Sequence, residues 1–162
     1  MSETFQVRAA ERGDVGTILA MIRELAEYEE LTHLCTATED QLAAELFGPD
    51  AAAEALVAVA GGEAVGYAIF FHNFSTFLGR RGLYLEDLYV RPSHRHQGCG
   101  RALLLAVARI AAERRCARFE WMALDWNTPA IDFYEKLGAT QMREWRLFRA
   151  TGDALDALAK LK

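Results

Sequence analysis

Residues 91–101 read RPSHRHQGCGR, between the apolar run GLYLEDLYV (82–90) and an Ala/Leu-rich run that starts at Ala102. Gly98 and Gly100, flanked by Arg95, His96, Gln97, Cys99 and Arg101, admit two readings. The glycines can serve only to turn the backbone. Alternatively the seam grips an anion, because the first N–H groups of a helix lack internal partners and face outward with the positive end of its dipole. Two adjacent carboxylates, Glu86 and Asp87, stand just upstream. On a regular strand, neighbouring side chains point to opposite faces. Tyr84, Glu86, Leu88 and Val90 are therefore expected on one side and Leu85, Asp87 and Tyr89 on the other, so that Glu86 and Asp87 have different roles. Glu27, Glu29 and Glu30 form a second acidic group at the end of the first helix, whose plain reading is a solvated helix end. Tyr134 shares a helical face with Ala130 and Leu137, where a core tyrosine with a bonded hydroxyl is the plain reading.

Cys99 opens a helix, a position that lowers a thiol pKa, but no base accompanies it in sequence and a nucleophilic role is not expected. His94 and His96 lack a carboxylate or thiol at ligand spacing, and no metal site is expected.

The elements that must position these residues follow from periodicity and punctuation. FQVRAA (5–10) alternates as a strand, and GDVGTILAMIRELAEYEE spaces Val15, Ile18, Leu19, Ile22 and Leu25 as a helix. Thr38 is an N-cap for a short second helix that Gly48 closes. EALVAVAGGEAVGYAIFFHNF is a hairpin turning at Gly61–Gly62, and 82–90 is a further strand. A helix from Gly98 to about Arg115 buries Leu103, Leu104, Val107, Ile110 and Ala111, and RFEWMAL (118–124) is the next strand. NTPAIDFYEKLGA carries Thr128 as N-cap, Pro129 at the first helical position and Gly138 as terminator. TQMREWRLFRA predicts one or two more strands and GDALDALAKL a closing helix. The fold class is α/β: a central mixed β-sheet with helices on both faces, in a single domain over 1–162.

With 162 residues, 52% hydrophobic and 25% charged, the chain suits one folded domain rather than a disordered one. No apolar run reaches membrane-spanning length, and the polar N-terminus has no secretory pattern, so a cytoplasmic protein is expected. Three cysteines without paired spacing argue against a disulfide framework. A net charge of −5 argues against nucleic acid as the main partner. Against that background the Arg/His cluster at 91–101 suggests a small anionic ligand.

The seam lacks the P-loop and dinucleotide patterns. Its R-x-x-G-x-G order, after a central strand and at the start of a helix, resembles the acyl-CoA pyrophosphate loop of the GNAT superfamily of N-acetyltransferases. ELAEYEE, LYLEDLYV, the glycine seam, WNTPAIDFYEKLGA and WRLFR, in that order, resemble the diamine and thialysine acetyltransferase branch. The resemblance implies a GNAT fold with acetyl-CoA as cosubstrate and no metal. Its pyrophosphate would lie on the N–H groups of 96–101, with charge from Arg95 and Arg101. Its pantetheine would bond the backbone near Leu88, Tyr89 and Val90 where the fourth and fifth strands part, with Asn127 a further contact.

In the family pattern Glu86 matches the base that helps an amine lose its proton, through a water molecule, and Tyr134 matches the tyrosine that protonates the departing CoA sulfur. Glu27, Glu29, Glu30, Glu86 and Asp87 would attract a cationic amine. Thr32 and His33, and Ser75, Thr76 and Phe77, replace residues that polyamine-acetylating members carry, which favours a short diamine, a thialysine-like amino acid or another small primary amine. Members of the branch are typically homodimers, and the expected strand bearing Trp145, Leu147 and Phe148 would be covered by a second copy. A non-catalytic acyl-CoA-binding module and a protein N-acetyltransferase remain open alternatives.

Overall fold

A computed structural model describes residues 5–162. They form two compact units, one ending at Met122 and the other spanning Ala123–Lys162, each described by itself.

The first unit is built on a five-stranded sheet in the order β1-β2-β3-β4-β5: β1 Gln6–Ala9, β2 Glu54–Ala60, β3 Glu63–Ser75, β4 Arg80–Val90 and β5 Phe119–Trp121. The first three pairings are antiparallel and β4–β5 is parallel, so β4 and β5 need a crossover. Helix α3 (Cys99–Glu113) supplies it. The β2–β3 hairpin turns on Gly61 and Gly62, both at positive φ, which a two-residue turn matching strand twist demands.

Helix α1 (Val15–Tyr28) buries Val15, Ile18, Leu19 and Met21. Helix α2 (Glu39–Phe47) starts at Thr38, whose hydroxyl accepts from the Gln41 N–H while the Gln41 side chain accepts from the Thr38 N–H; this reciprocal cap fixes its first turn. Ile18, Met21 and Leu46 pack with Val57, Tyr67, Ile69 and Tyr89 on one sheet face. Helix α3 covers the other face: a Cβ added to Gly66 would touch Leu103 and Val90, and the helix also packs on β2 and β4. Helices thus lie on both faces, as expected.

One register detail corrects the expected faces. Ile69 pairs with Asp87 but Phe70 pairs with Leu85, leaving Glu86 as the extra residue of a β-bulge. Alternation restarts there. Asp87 and Tyr89, opposite Ile69 and Tyr67, share the α1 face with Tyr84, whose ring lies 5.2 Å from that of Phe71. Leu85 instead falls in with Leu88 and Val90.

Two further expectations are corrected. Strand β5 is three residues long rather than seven, because its ladder with β4 stops at Leu85–Trp121, where the bulge begins. Residues 140–150 form no strand: Arg143, Arg146 and Arg149 recur every third residue, a period that gives a strand no uniform apolar face.

In the second unit, α4 spans Thr128–Lys136 and α5 Gly152–Ala159. Asn127 rather than Thr128 is the N-cap of α4, because the Thr128 N–H closes a turn onto Trp126 and leaves Asn127 non-helical. Gly138 follows at φ +94°, the conformation that ends a helix most cheaply in glycine.

Candidate active site

Between α1, the segment 31–37, the start of α2 and the β4 bulge lies a cleft of about 540 Å³. Glu29, Glu86 and Asp87 all line it, with Ile22, Leu25, Leu31 and Leu34 as apolar wall and Cys35 beside them. The bulge accounts for the pair of neighbouring carboxylates: an extra residue turns Glu86 toward the face that Asp87 already occupies. The expectation that they face opposite sides of the sheet is thereby overturned.

Burial pushes the Asp87 carboxyl up from 3.8 to about 6, with the charges of Glu86 and Glu29 adding to it, while the hydrogen bond from the Tyr67 hydroxyl (3.0 Å) works the other way. Burial also raises Glu29. Three carboxylates against an apolar wall form a site in which a cation relieves mutual repulsion and an aliphatic chain covers hydrocarbon. Glu27 and Glu30 do not join them: both are exposed, and neither lines the cleft.

Past the C-terminal end of β4, Gly98 adopts φ +86° and caps α3, whose first main-chain bond runs from the Ala102 N–H to the Gly98 carbonyl. The amides of residues 99–101 precede that bond and form the donor-rich end that suits an anion. His96, also at positive φ, Gln97 and Arg101 are exposed around it.

Arg95 turns away from this role in part. Its guanidinium lies 5.2 Å from the Tyr28 ring centre and 5.5 Å from that of Tyr89, and its Nε donates to the Val90 carbonyl at 2.8 Å. It clamps the loop to the end of α1. Arg91 does likewise by pairing with Glu24 at 3.1 Å, and Glu24 also accepts from the Tyr89 hydroxyl. Cys99 is 2% exposed and burial raises its thiol pKa, opposite to the direction expected from its place at a helix start; it is inert packing.

Among the described residues, β4 has no strand partner on its β5 side beyond Leu85. Leu88, Tyr89 and Val90 pair with β3 alone. In the second unit, Tyr134 is half-buried on α4 with its ring 5.3 Å from Phe133, and Asn127 caps the same helix. Among the described residues no group of His, Cys, Asp and Glu could hold a metal ion, and no helix is long and apolar enough to cross a membrane.

Sequence reasoning missed Tyr67, Glu24 and Tyr28, and the apolar wall of the cleft. Tyr67 carries no signal in a strand of consecutive apolar residues. Tyr28 lies between Glu27 and Glu29 in an acidic run, and its partner Arg95 is distant in sequence.

The model of the acetyltransferase (GNAT) family matches residues 18–139. The chain belongs to this family. It is 42% identical over 164 residues to a thialysine N-epsilon-acetyltransferase of Sus scrofa, covering 94% of this chain and 96% of that one. An L-ornithine N5-acetyltransferase of Arabidopsis thaliana is 33% identical, over 96% of this chain and 88% of its own. Among solved structures, an integron cassette protein of V. cholerae superposes with a TM-score of 0.82 at 27% identity, covering 99% of both chains. The GNAT fold expected from the sequence is the fold observed.

Proposed function

We propose that this N-acetyltransferase moves the acetyl group of acetyl-CoA to a primary amine of a small cationic acceptor, a thialysine-like amino acid or a short diamine. The observation that carries it is the cleft in which Glu29, Glu86 and Asp87 converge on an apolar wall. The 42% identity to a protein named for thialysine acetylation points the same way.

In this reading the amides of 99–101, with neighbouring groups from His96 to Arg101, hold the pyrophosphate. Arg95 serves mainly to hold the loop in place, through Tyr28, Tyr89 and Val90. The edge at Leu88–Val90 beyond the β5 ladder takes the pantetheine amides, its Val90 carbonyl being engaged by Arg95, and Asn127 adds a contact. A cleft carboxylate, Glu86 in the first instance, accepts the proton of the bound ammonium directly or through water. The freed amine nitrogen attacks the thioester carbon, the C–S bond breaks, and the Tyr134 phenol gives its proton to the departing thiolate; the second proton, shed by the new amide nitrogen, passes through water to restore the phenol.

The family match continues from residue 18 to 139 across the boundary at Met122, which supports treating 1–162 as one functional domain. We also retain a cytoplasmic homodimer. The strand invoked for its interface does not form, but Trp145 and Phe148 are 73% and 91% exposed, aromatic surface of the kind enriched in interfaces, with Leu147 between them 66% exposed.

A turnover screen following free thiol release tests the function: acetyl-CoA with thialysine, ornithine, 1,3-diaminopropane, spermidine, lysine peptides and no acceptor. Small amines should turn over fastest and Glu29→Gln should raise their KM. Preference for peptides, or no acceptor-dependent release, would overturn the assignment.

A further inference from the structure

Tyr67 is fully buried in β3 on the α1 face, opposite Tyr89. A buried phenol needs an acceptor, and a backbone carbonyl would satisfy it. Tyr67 donates instead to Oδ2 of Asp87 at 3.0 Å, a carboxylate that lines the amine cleft.

We propose that Tyr67 is a positioning residue for acetyl transfer: by engaging one oxygen of Asp87 it fixes the carboxylate so that the other faces the incoming ammonium, and it holds Asp87 in its anionic form. This rests on the amine-cleft reading above and concerns no residue that touches acetyl-CoA.

The surroundings show why such a partner matters. Facing Asp87 are Tyr67 from β3, Glu86 from its own strand and Glu29 from α1, with Cys35 on the cleft wall. Both carboxylates and burial disfavour a charge on Asp87; the phenol is the neighbour that favours it. The other tyrosine of the pair, Tyr89, spends its hydroxyl on Glu24. Tyr67 itself stays protonated, since burial and the Asp87 charge raise its pKa well above the usual tyrosine value, so it donates throughout any practical assay range. A phenol present only to fill the core would leave the pH profile of catalysis where it is.

The test is Tyr67→Phe in the full chain, with kcat/KM for ornithine and for 1,3-diaminopropane followed against pH. Losing a hydrogen bond to a charged group raises the Asp87 pKa, so the acidic limb should move to higher pH. That gives about a tenfold loss near pH 6 that all but vanishes near pH 8.5, with the KM for acetyl-CoA unchanged. A loss equal at every pH, or an unmoved profile, overturns the proposal. Asp87→Asn separates the two levels: if it keeps wild-type kinetics for the amines, the cleft reading itself fails, whereas an impaired Asp87→Asn beside an unmoved Tyr67→Phe profile sinks the positioning role alone. Should Tyr67→Phe not fold, proton NMR of the wild type decides. A slowly exchanging, downfield phenol proton whose shift follows the titration of the cleft is required, and its absence refutes the hydrogen bond.

Discussion

Replacing Asp87 with Asn should make the protein more stable at neutral pH while impairing it as an enzyme. The folded chain holds the Asp87 proton more tightly than the unfolded one, at about 6 against 3.8. Stability linked to that proton is therefore complete below the unfolded value and is lost as pH rises through about 6. The difference is about two pH units, each worth about 1.4 kcal/mol, so ionised Asp87 costs the fold up to about 3 kcal/mol above pH 7. Because the side chain still meets solvent in the cleft, part of this is screened and roughly 1–3 kcal/mol remains. Asn keeps an oxygen for the Tyr67 hydroxyl and carries no charge to bury. For a chain of this size that is a rise in Tm of roughly 2–10 °C at pH 8, with little difference from wild type at pH 4.

Thermal unfolding of both proteins at half-unit steps between these limits measures it. A mutant less stable than wild type at pH 8, or a difference that does not change with pH, would show that the cleft does not strain this carboxylate. Proteins commonly concede stability where charge must be held for function, and here the concession has a named residue and a pH window.

Gly98→Ala should lower stability by about 1–2 kcal/mol, because φ +86° disfavours any L-residue, and should weaken acetyl-CoA binding about tenfold or more as the amides shift. Apart from its chain neighbours, its Cβ would meet no atom of the described residues within 4 Å, so lost binding has no internal clash to explain it, and unchanged affinity by calorimetry would refute the anion seam. Gly100→Ala is the control: it is helical, its Cβ would lie 3.6 Å from Val90, and it should be neutral or stabilising by up to about 1 kcal/mol. Tyr134→Phe should cut kcat by about a hundredfold or more with acetyl-CoA affinity retained; wild-type turnover would remove the proton-donor role. Light scattering over tens of micromolar should show a particle of about twice 18.1 kDa, and a monomer throughout would dispose of the homodimer.

The sequence made legible whatever was fixed by local chemistry. Thr38 with Gln41, the Gly61–Gly62 turn and the apolar spacing of α1 and α3 each declare themselves within a few residues, and their elements stand where expected. The glycine seam was legible for the same reason, since positive φ at Gly98 is a local demand. What could not be read depends on partners far away in the chain. The bulge at Glu86 is a mismatch between β3 and β4; nothing in LYLEDLYV alone breaks its alternation. The direction of the Arg95 side chain depends on Tyr28, almost seventy residues earlier. No late strand forms around Trp145, where the arginines recur in threes and leave no uniform apolar face.

One extra residue in β4 accounts for much of the candidate site. At Glu86 it turns two neighbouring carboxylates into one cleft on the α1 face, and at the same point the β5 ladder ends, so that among the described residues the edge from Glu86 to Val90 has no strand partner on that side, although the Val90 carbonyl accepts from Arg95. A regular strand offers carboxylates at positions 86 and 87 to opposite faces and would let β5 pair along its length. Amine recognition and the proposed pantetheine edge then share a single cause, because both substrates would meet on the same few residues of backbone. The arrangement also explains why Asp87 needs a buried partner: a carboxylate that shares its cleft with two others keeps its charge only if something donates to it, and in β3 that donor is Tyr67.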